Sequence, residues 1–178
     1  PPPDNQYLPM FEHLENSEAA AAVWNRTHPK DQRTADTIVS PMGAVGRYQI
    51  EPATAQRYGL DPSRLTEPAY NRMAANMVLN DLSAQTGNDP IQMAIGYDSN
   101  PKHIAAWKAA KQNDAVLPKE TQDYVKCARA WRAQYGDGNA MQFGDVANAL
   151  VGPLAFDDLV PGAMQQPTAP AKPTSSWW

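Results

Sequence analysis

Apolar residues recur along most of the chain at helical spacing. Between Tyr7 and Trp24 they fall at Tyr7, Leu8, Phe11, Leu14, Ala21, Ala22 and Trp24, close to the i, i+3, i+4, i+7 template, which predicts one amphipathic helix there. Glu12, Glu15 and Glu18 share that span, three residues apart, so on one helix their carboxylates would stack and repel. His28-Pro29 ends the pattern, because a proline denies its predecessor the α conformation. A polar stretch then runs to Val39, followed by the turn-rich Ser40-Pro41-Met42-Gly43-Ala44-Val45-Gly46.

Helical spacing then resumes in shorter pieces, most of them opened by a proline in the first turn. Ile50 to Tyr58 reads as a short helix closed by Gly59, and a longer one runs from Thr66-Glu67-Pro68 to Thr86-Gly87. Asp89-Pro90 opens a helix through Tyr97, Asn100-Pro101 another through Ala110, and Pro118-Lys119-Glu120-Thr121 a last long one carrying Tyr124, Val125, Ala128 and Trp131 on one face. A weaker helix is expected over Ala140 to Val151. No alternating apolar and polar run predicts a strand, so the expected class is all-α.

From Pro153 onward the composition turns Pro-rich and low in complexity, which cannot pack a core of its own. The expected organisation is an N-terminal arm over 1–6, a helical domain over 7–152 and an extended tail over 153–178. With 178 residues and 42% in the AVILMFWYC set, the chain holds enough apolar material for one core. The net charge of -4 argues against general nucleic-acid binding, which needs clustered Lys and Arg. No apolar run reaches the roughly 20 residues of a membrane-spanning helix. Pro1-Pro2-Pro3-Asp4-Asn5 lacks the basic and apolar regions of a secretory leader. A lone Cys127 and three scattered histidines leave neither a disulfide nor a zinc site to expect, and no cofactor is called for.

The richest chemistry lies in Ser40-Pro41-Met42-Gly43-Ala44-Val45-Gly46-Arg47-Tyr48-Gln49, leading into Ile50-Glu51-Pro52-Ala53-Thr54-Ala55. Two glycines around small residues let the backbone take positive φ and approach a neighbour closely. Gln49 both donates and accepts, as recognition of a sugar hydroxyl or acetamide requires. On these residues alone, a plain structural turn competes with a ligand-binding loop.

The stretch resembles the signature of the soluble lytic transglycosylase (SLT) domain, a goose-lysozyme-like all-α fold. The resemblance continues in order through Pro52 to Ala55, the Asn71-to-Leu82 helix, Gly96-Tyr97-Asp98-Ser99-Asn100-Pro101 and Glu120-Thr121-Gln122-Asp123-Tyr124-Val125, spanning roughly residues 7 to 135. It implies cleavage of the MurNAc–GlcNAc β-1,4 bond of peptidoglycan by a single Glu acting as acid and then base. The sugar's C6 hydroxyl attacks with help from the N-acetyl group, leaving a 1,6-anhydro product. It also implies substrate-binding roles for Gly43, Gly46, Tyr48, Gln49, Tyr97 and Asp98, where Asp98 replaces the family's usual Asn.

The catalytic Glu of that pattern ends the first helix, and Leu14-Glu15-Asn16-Ser17 fits, with Glu18 as the alternative and Asp31 a weaker one. The segment from Asn16 to Val39 is longer than the family's usual spacing. Half-buried on an apolar face, Glu15 would have a raised pKa and hold its proton, and Glu12 and Glu18, if close, would raise it further. Tyr97 reads either as a neighbour that holds this Glu or as an ordinary core aromatic. Trp24, Trp107 and Trp131 are expected to pack, with one possible sugar-subsite role among them.

The expected function is therefore that of a peptidoglycan lytic transglycosylase. The tail would contact a larger assembly, either a phage virion whose component opens the wall during genome delivery or a secretion machine, and the place of action would be the bacterial periplasm. The competing reading is a catalytically degenerate SLT-like module, structural or glycan-binding, in such an assembly.

Overall fold

The computed structural model describes residues 4–136. The helix expected at Ala140 to Val151 and the Pro-rich tail over 153–178 lie outside the described residues. Within them the protein is helical, with seven α-helices: α1 Leu8–Glu15, α2 Ser17–Thr27, α3 Pro52–Arg57, α4 Pro68–Thr86, α5 Pro90–Asp98, α6 Pro101–Ala109 and α7 Lys119–Tyr135. Short 3-10 turns sit at Pro62–Arg64 and Asp114–Val116. Extended pairing among the described residues is limited to isolated bridges, Val39 with Val45 and Val45 with Ile50.

Prolines occupy the first turn of α1, α3, α4, α5 and α6, where the missing N–H costs nothing and the fixed φ suits the helix. Side chains cap the starts: Asp89 accepts from the N–H groups of Ile91 and Gln92, and Asn100 from that of Lys102. Gly87, in the left-handed conformation at φ 63°, stops α4.

The helix expected from Tyr7 to Trp24 is two helices. Asn16 adopts φ 45° and ψ 36° and ends α1 at Glu15. Asparagine is among the few non-glycine residues that enter this region at modest cost. The break separates Glu12 and Glu15 from Glu18, so the three carboxylates do not stack on one helix.

The core forms around α5, which packs against α4, α6 and α7, while α1 packs against α4 and α7. Met93, Ala94 and Ile95 of α5 are fully buried, as are Leu8 and Phe11 of α1 and Trp107 of α6. Burial of each large side chain contributes about 1.5–3 kcal/mol relative to exposure. Phe11 lies 4.5 Å, centroid to centroid, from Tyr97. Apolar packing thus fixes the C-terminal end of α1 against that of α5.

Candidate functional site

The loop after Ser40 is a closed turn. Val45 and Ile50 exchange backbone hydrogen bonds at 3.0 Å each, enclosing Gly46 to Gln49. Gly46 has φ +78°, and a Cβ there would lie 2.7 Å from Asn71 Nδ2 and 2.9 Å from the Leu65 carbonyl oxygen. Conformation and space therefore both require glycine. Gly43, at φ +89°, has open space around it, so only its conformation favours glycine.

Asn71, fully buried on α4, clamps the turn from beneath. Its Oδ1 accepts from the Tyr48 N–H at 2.9 Å, and its Nδ2 donates to the Val45 carbonyl at 2.9 Å. The Gly46 carbonyl collects two side chains, Gln49 Nε2 at 2.7 Å and Ser17 Oγ at 3.1 Å. Ser17 also donates to the Arg47 carbonyl at 2.9 Å. From the other side the Tyr97 hydroxyl donates to the Tyr48 carbonyl at 2.8 Å. The loop is thereby tied to the residues just after Glu15 and to the end of α5.

Glu15 is the last residue of α1, half-buried. Burial pushes its carboxyl well above the usual carboxylate range. The Tyr124 hydroxyl, which hydrogen-bonds the carboxylate, partly opposes that shift, and the negative fields of Asp98 and Glu120 add to it. Burial likewise keeps the Tyr97 and Tyr124 phenols protonated, with Glu15 reinforcing both. Asp98 accepts from Thr121 Oγ1 at 2.5 Å, yet burial lifts its carboxyl to about 6. The arrangement holds a carboxylic acid beside two neutral phenols, with a second carboxylate near by. Such a group gives up a proton to a leaving oxygen and takes one back.

Glu12 and Glu18 are not among the groups that raise Glu15, contrary to expectation; both are paired with Arg47. Its Nη1 reaches Glu12 Oε1 at 3.1 Å and Glu18 Oε1 at 3.0 Å. Glu18 is exposed in this ion pair, away from the two phenols, and Asp31 is exposed and paired with Arg33. Tyr48 contributes its backbone to the loop clamp. Its ring is buried and its hydroxyl donates to Glu12 Oε2 at 2.9 Å. Trp24 is engaged within its own segment, since His28 stacks on it at 3.8 Å and the Arg33 guanidinium lies 3.9 Å from its ring centroid. Trp107 and Trp131 are buried.

Sequence reasoning did not single out Asn71, Arg47 or Thr121. Asn71 had a visible signal, a polar residue in helical phase with Ala74, Ala75 and Val78 on the buried face of α4. Among the described residues, no group of three or more His, Cys, Asp or Glu side chains is placed to hold a metal ion.

Residues 33–117 match the family described as the Transglycosylase SLT domain. Over this segment the chain is similar to the SLT domain. The match takes in the Gly43–Gln49 loop, Asn71, Tyr97 and Asp98, and leaves Glu15, on α1, and Tyr124, on α7, outside its limits. The SLT domain brings with it an all-α lysozyme-like fold and the activity class of lytic transglycosylases, whose substrate is peptidoglycan. No curated protein and no solved structure matches the chain. No helix among the described residues is long and apolar enough to cross a membrane.

Proposed function

We propose that the chain cleaves the MurNAc–GlcNAc β-1,4 bond with Glu15 as the single acid and base. Protonated Glu15 gives its proton to the glycosidic oxygen as the C1–O bond breaks, with the substrate's N-acetyl group supporting C1. The C6 hydroxyl then attacks C1 and returns its proton to the Glu15 carboxylate, leaving a 1,6-anhydro end. Tyr97 and Tyr124 keep the carboxyl oriented. Gln49, Gly43 and Gly46 form the glycan-facing loop with Asp98 beside it, and Tyr48 acts through its backbone.

The observation that carries this reading is the placement of Glu15 beside Tyr97 and Tyr124 at a buried helix end. The alternative acid, Glu18, is exposed and paired with Arg47. Purified sacculi digested with the chain test it. Muropeptides with anhydro ends, lighter by one water than hydrolysed ones, are the expected product, and reducing ends alone would refute it.

A second reading, a catalytically silent glycan-binding module, is favoured by Asp98, whose charge stands where the family usually has a neutral amide. Binding to sacculi without release of any fragment would select it. The Pro-rich composition of residues 153–178 supports docking onto a larger assembly, since such segments are extended and recognised along their length. We place that assembly in a phage virion acting in the periplasm during genome delivery, with a secretion machine as the other setting. Peptides of the chain in purified particles would support the former, and their absence would oppose it.

A further inference from the structure

The break at Asn16 poses a mechanical problem. Glu15 ends α1, the next residue turns left-handed, and α2 departs. A carboxyl at such a joint is held in place only if the chain on both sides is fixed. Upstream, α1 is packed into the core through Leu8, Phe11 and Leu14. Downstream, α2 buries only Ser17 and Ala21.

One side chain spans the joint. Arg47 Nη1 bonds Glu12, three residues before Glu15, at 3.1 Å, and Glu18, three residues after it, at 3.0 Å. The rest of the guanidinium is bidentate on Asp36, from Nε at 3.0 Å and Nη2 at 3.3 Å. Its own carbonyl accepts from Ser17, the second residue past Glu15, at 2.9 Å. Glu12 is fixed in turn by the Tyr48 hydroxyl, and the Tyr48 carbonyl by Tyr97.

We propose that Arg47 is a positioning residue for Glu15, its guanidinium clamping the chain on either side of the break that presents the carboxyl. The proposal rests on Glu15 being the acid. Arg47 itself does not touch Glu15. A planar fork with five donors can engage three carboxylates at once, whereas a lysine is a single point charge. The Arg47 side chain is 28% exposed and Asp36 20%, so that pair is partly shielded from solvent, while the Glu18 end of the clamp is open to it. Removing Arg47 leaves Glu12, Glu18 and Asp36 mutually repelling and frees α2 to swing. Water then reaches Glu15. Its remaining charged and titratable neighbours, Asp98 on α5, Glu120 and Tyr124 on α7, and Tyr97, stay where they are.

The test compares wild type, Arg47→Met and a Glu12→Ala/Glu18→Ala double variant, the last keeping the Arg47–Asp36 pair while cutting the clamp across the break. In each, the Glu15 side-chain carboxyl is titrated by carbon NMR on labelled protein, and kcat and KM are measured on soluble glycan strands. Circular dichroism confirms folding. The expected result is a Glu15 titration moved toward lower pH in the double variant, with kcat down about tenfold or more and KM unchanged within about twofold in both variants. Arg47→Lys should restore little of kcat. An unmoved Glu15 titration in the folded double variant overturns the proposal, as does a loss of activity confined to KM in either variant. If Arg47→Met does not fold, the double variant decides on the same criteria. The NMR readout needs no turnover, so a wild type that releases no fragments would count against the enzymatic reading and still leave the clamp to be judged.

Discussion

Ser17 Oγ donates to the Gly46 carbonyl at 3.1 Å, across 29 positions of sequence. This bond joins the turn after Glu15 to the one glycine of the loop that no other residue can replace. It makes the long Asn16-to-Val39 segment an excursion whose two ends return to the same place. Spacing along the chain therefore does not separate Glu15 from the Gly43–Gln49 loop in space, although the segment between them is longer than the family's usual one.

Glycine substitutions in the loop should separate conformational from steric cost. Gly46→Ala forces a positive φ and drives a Cβ to 2.9 Å from the Leu65 backbone oxygen, so it should destabilise by about 3 kcal/mol or more. Gly43→Ala meets open space and should lose only about 1 kcal/mol. Urea unfolding of the two variants measures the gap, and equal losses would show that Gly46 is not sterically confined.

Asn71→Leu removes both clamps on the turn, leaving the Tyr48 N–H unpaired and the Val45 carbonyl with only the Ile50 N–H. A loss of about 1–3 kcal/mol is expected from the one unsatisfied donor. Because the loop the clamps hold carries Gln49, whatever protein remains folded should bind glycan more weakly. Thermal unfolding with a sacculus pull-down checks both effects, and wild-type behaviour in both would remove Asn71 from the account.

Burial lifts the Asp98 carboxyl from its ordinary 3.8 to about 6 in the folded protein. The native state therefore binds the extra proton, and this group's effect on stability is most favourable below about pH 4. Stability falls as pH rises from about 4 to 6 and is flat above. Asp98→Asn removes that fall while its amide oxygen still accepts from Thr121. The variant should be more stable than wild type by about 1–2 kcal/mol near pH 7.5, after allowance for solvent access, and no more stable near pH 4. Stability gained equally at both pH values would show that desolvated charge is not the cause.

Glu15 follows the same sign. Its raised pKa means that the charged form is disfavoured by folding, so activity should be lost as pH rises through a value above the ordinary carboxylate range. Glu15→Gln should melt at the same temperature as wild type or higher at alkaline pH, while being inactive. A variant that melts lower at alkaline pH would mean that the ionised carboxylate is welcome there and unsuited to act as an acid.

The helices were legible because prolines and capping residues punctuate them. Pro52, Pro68, Pro90 and Pro101 each open a helix where the sequence predicts one, and Gly87 closes one. The break at Asn16 was not legible in the periodicity, and only the resemblance, which ends the first helix at the catalytic Glu, pointed to it. Apolar spacing continues across it, while the bond that ties down the chain just past the break, from Ser17 to the Arg47 carbonyl, spans 30 positions. The same holds for the three glutamates. Their spacing suggested repulsion on one helix, and only the fold reveals that Arg47 sits among Glu12, Glu18 and Asp36. Motif residues such as Gly46 and Gln49 stand out because local geometry demands them, whereas Arg47 and Asn71 act across the fold and leave only a faint local trace.

The most direct test of the central claim is digestion of purified peptidoglycan by wild type, Glu15→Gln and Glu18→Gln, with products resolved by mass spectrometry. The substitution at Glu15 keeps the shape of the side chain and removes the transferable proton. Anhydro-muropeptides from wild type and Glu18→Gln, with release by Glu15→Gln down by at least about a hundredfold, is the predicted result. Undiminished release by Glu15→Gln would contradict the assignment of Glu15 as the acid.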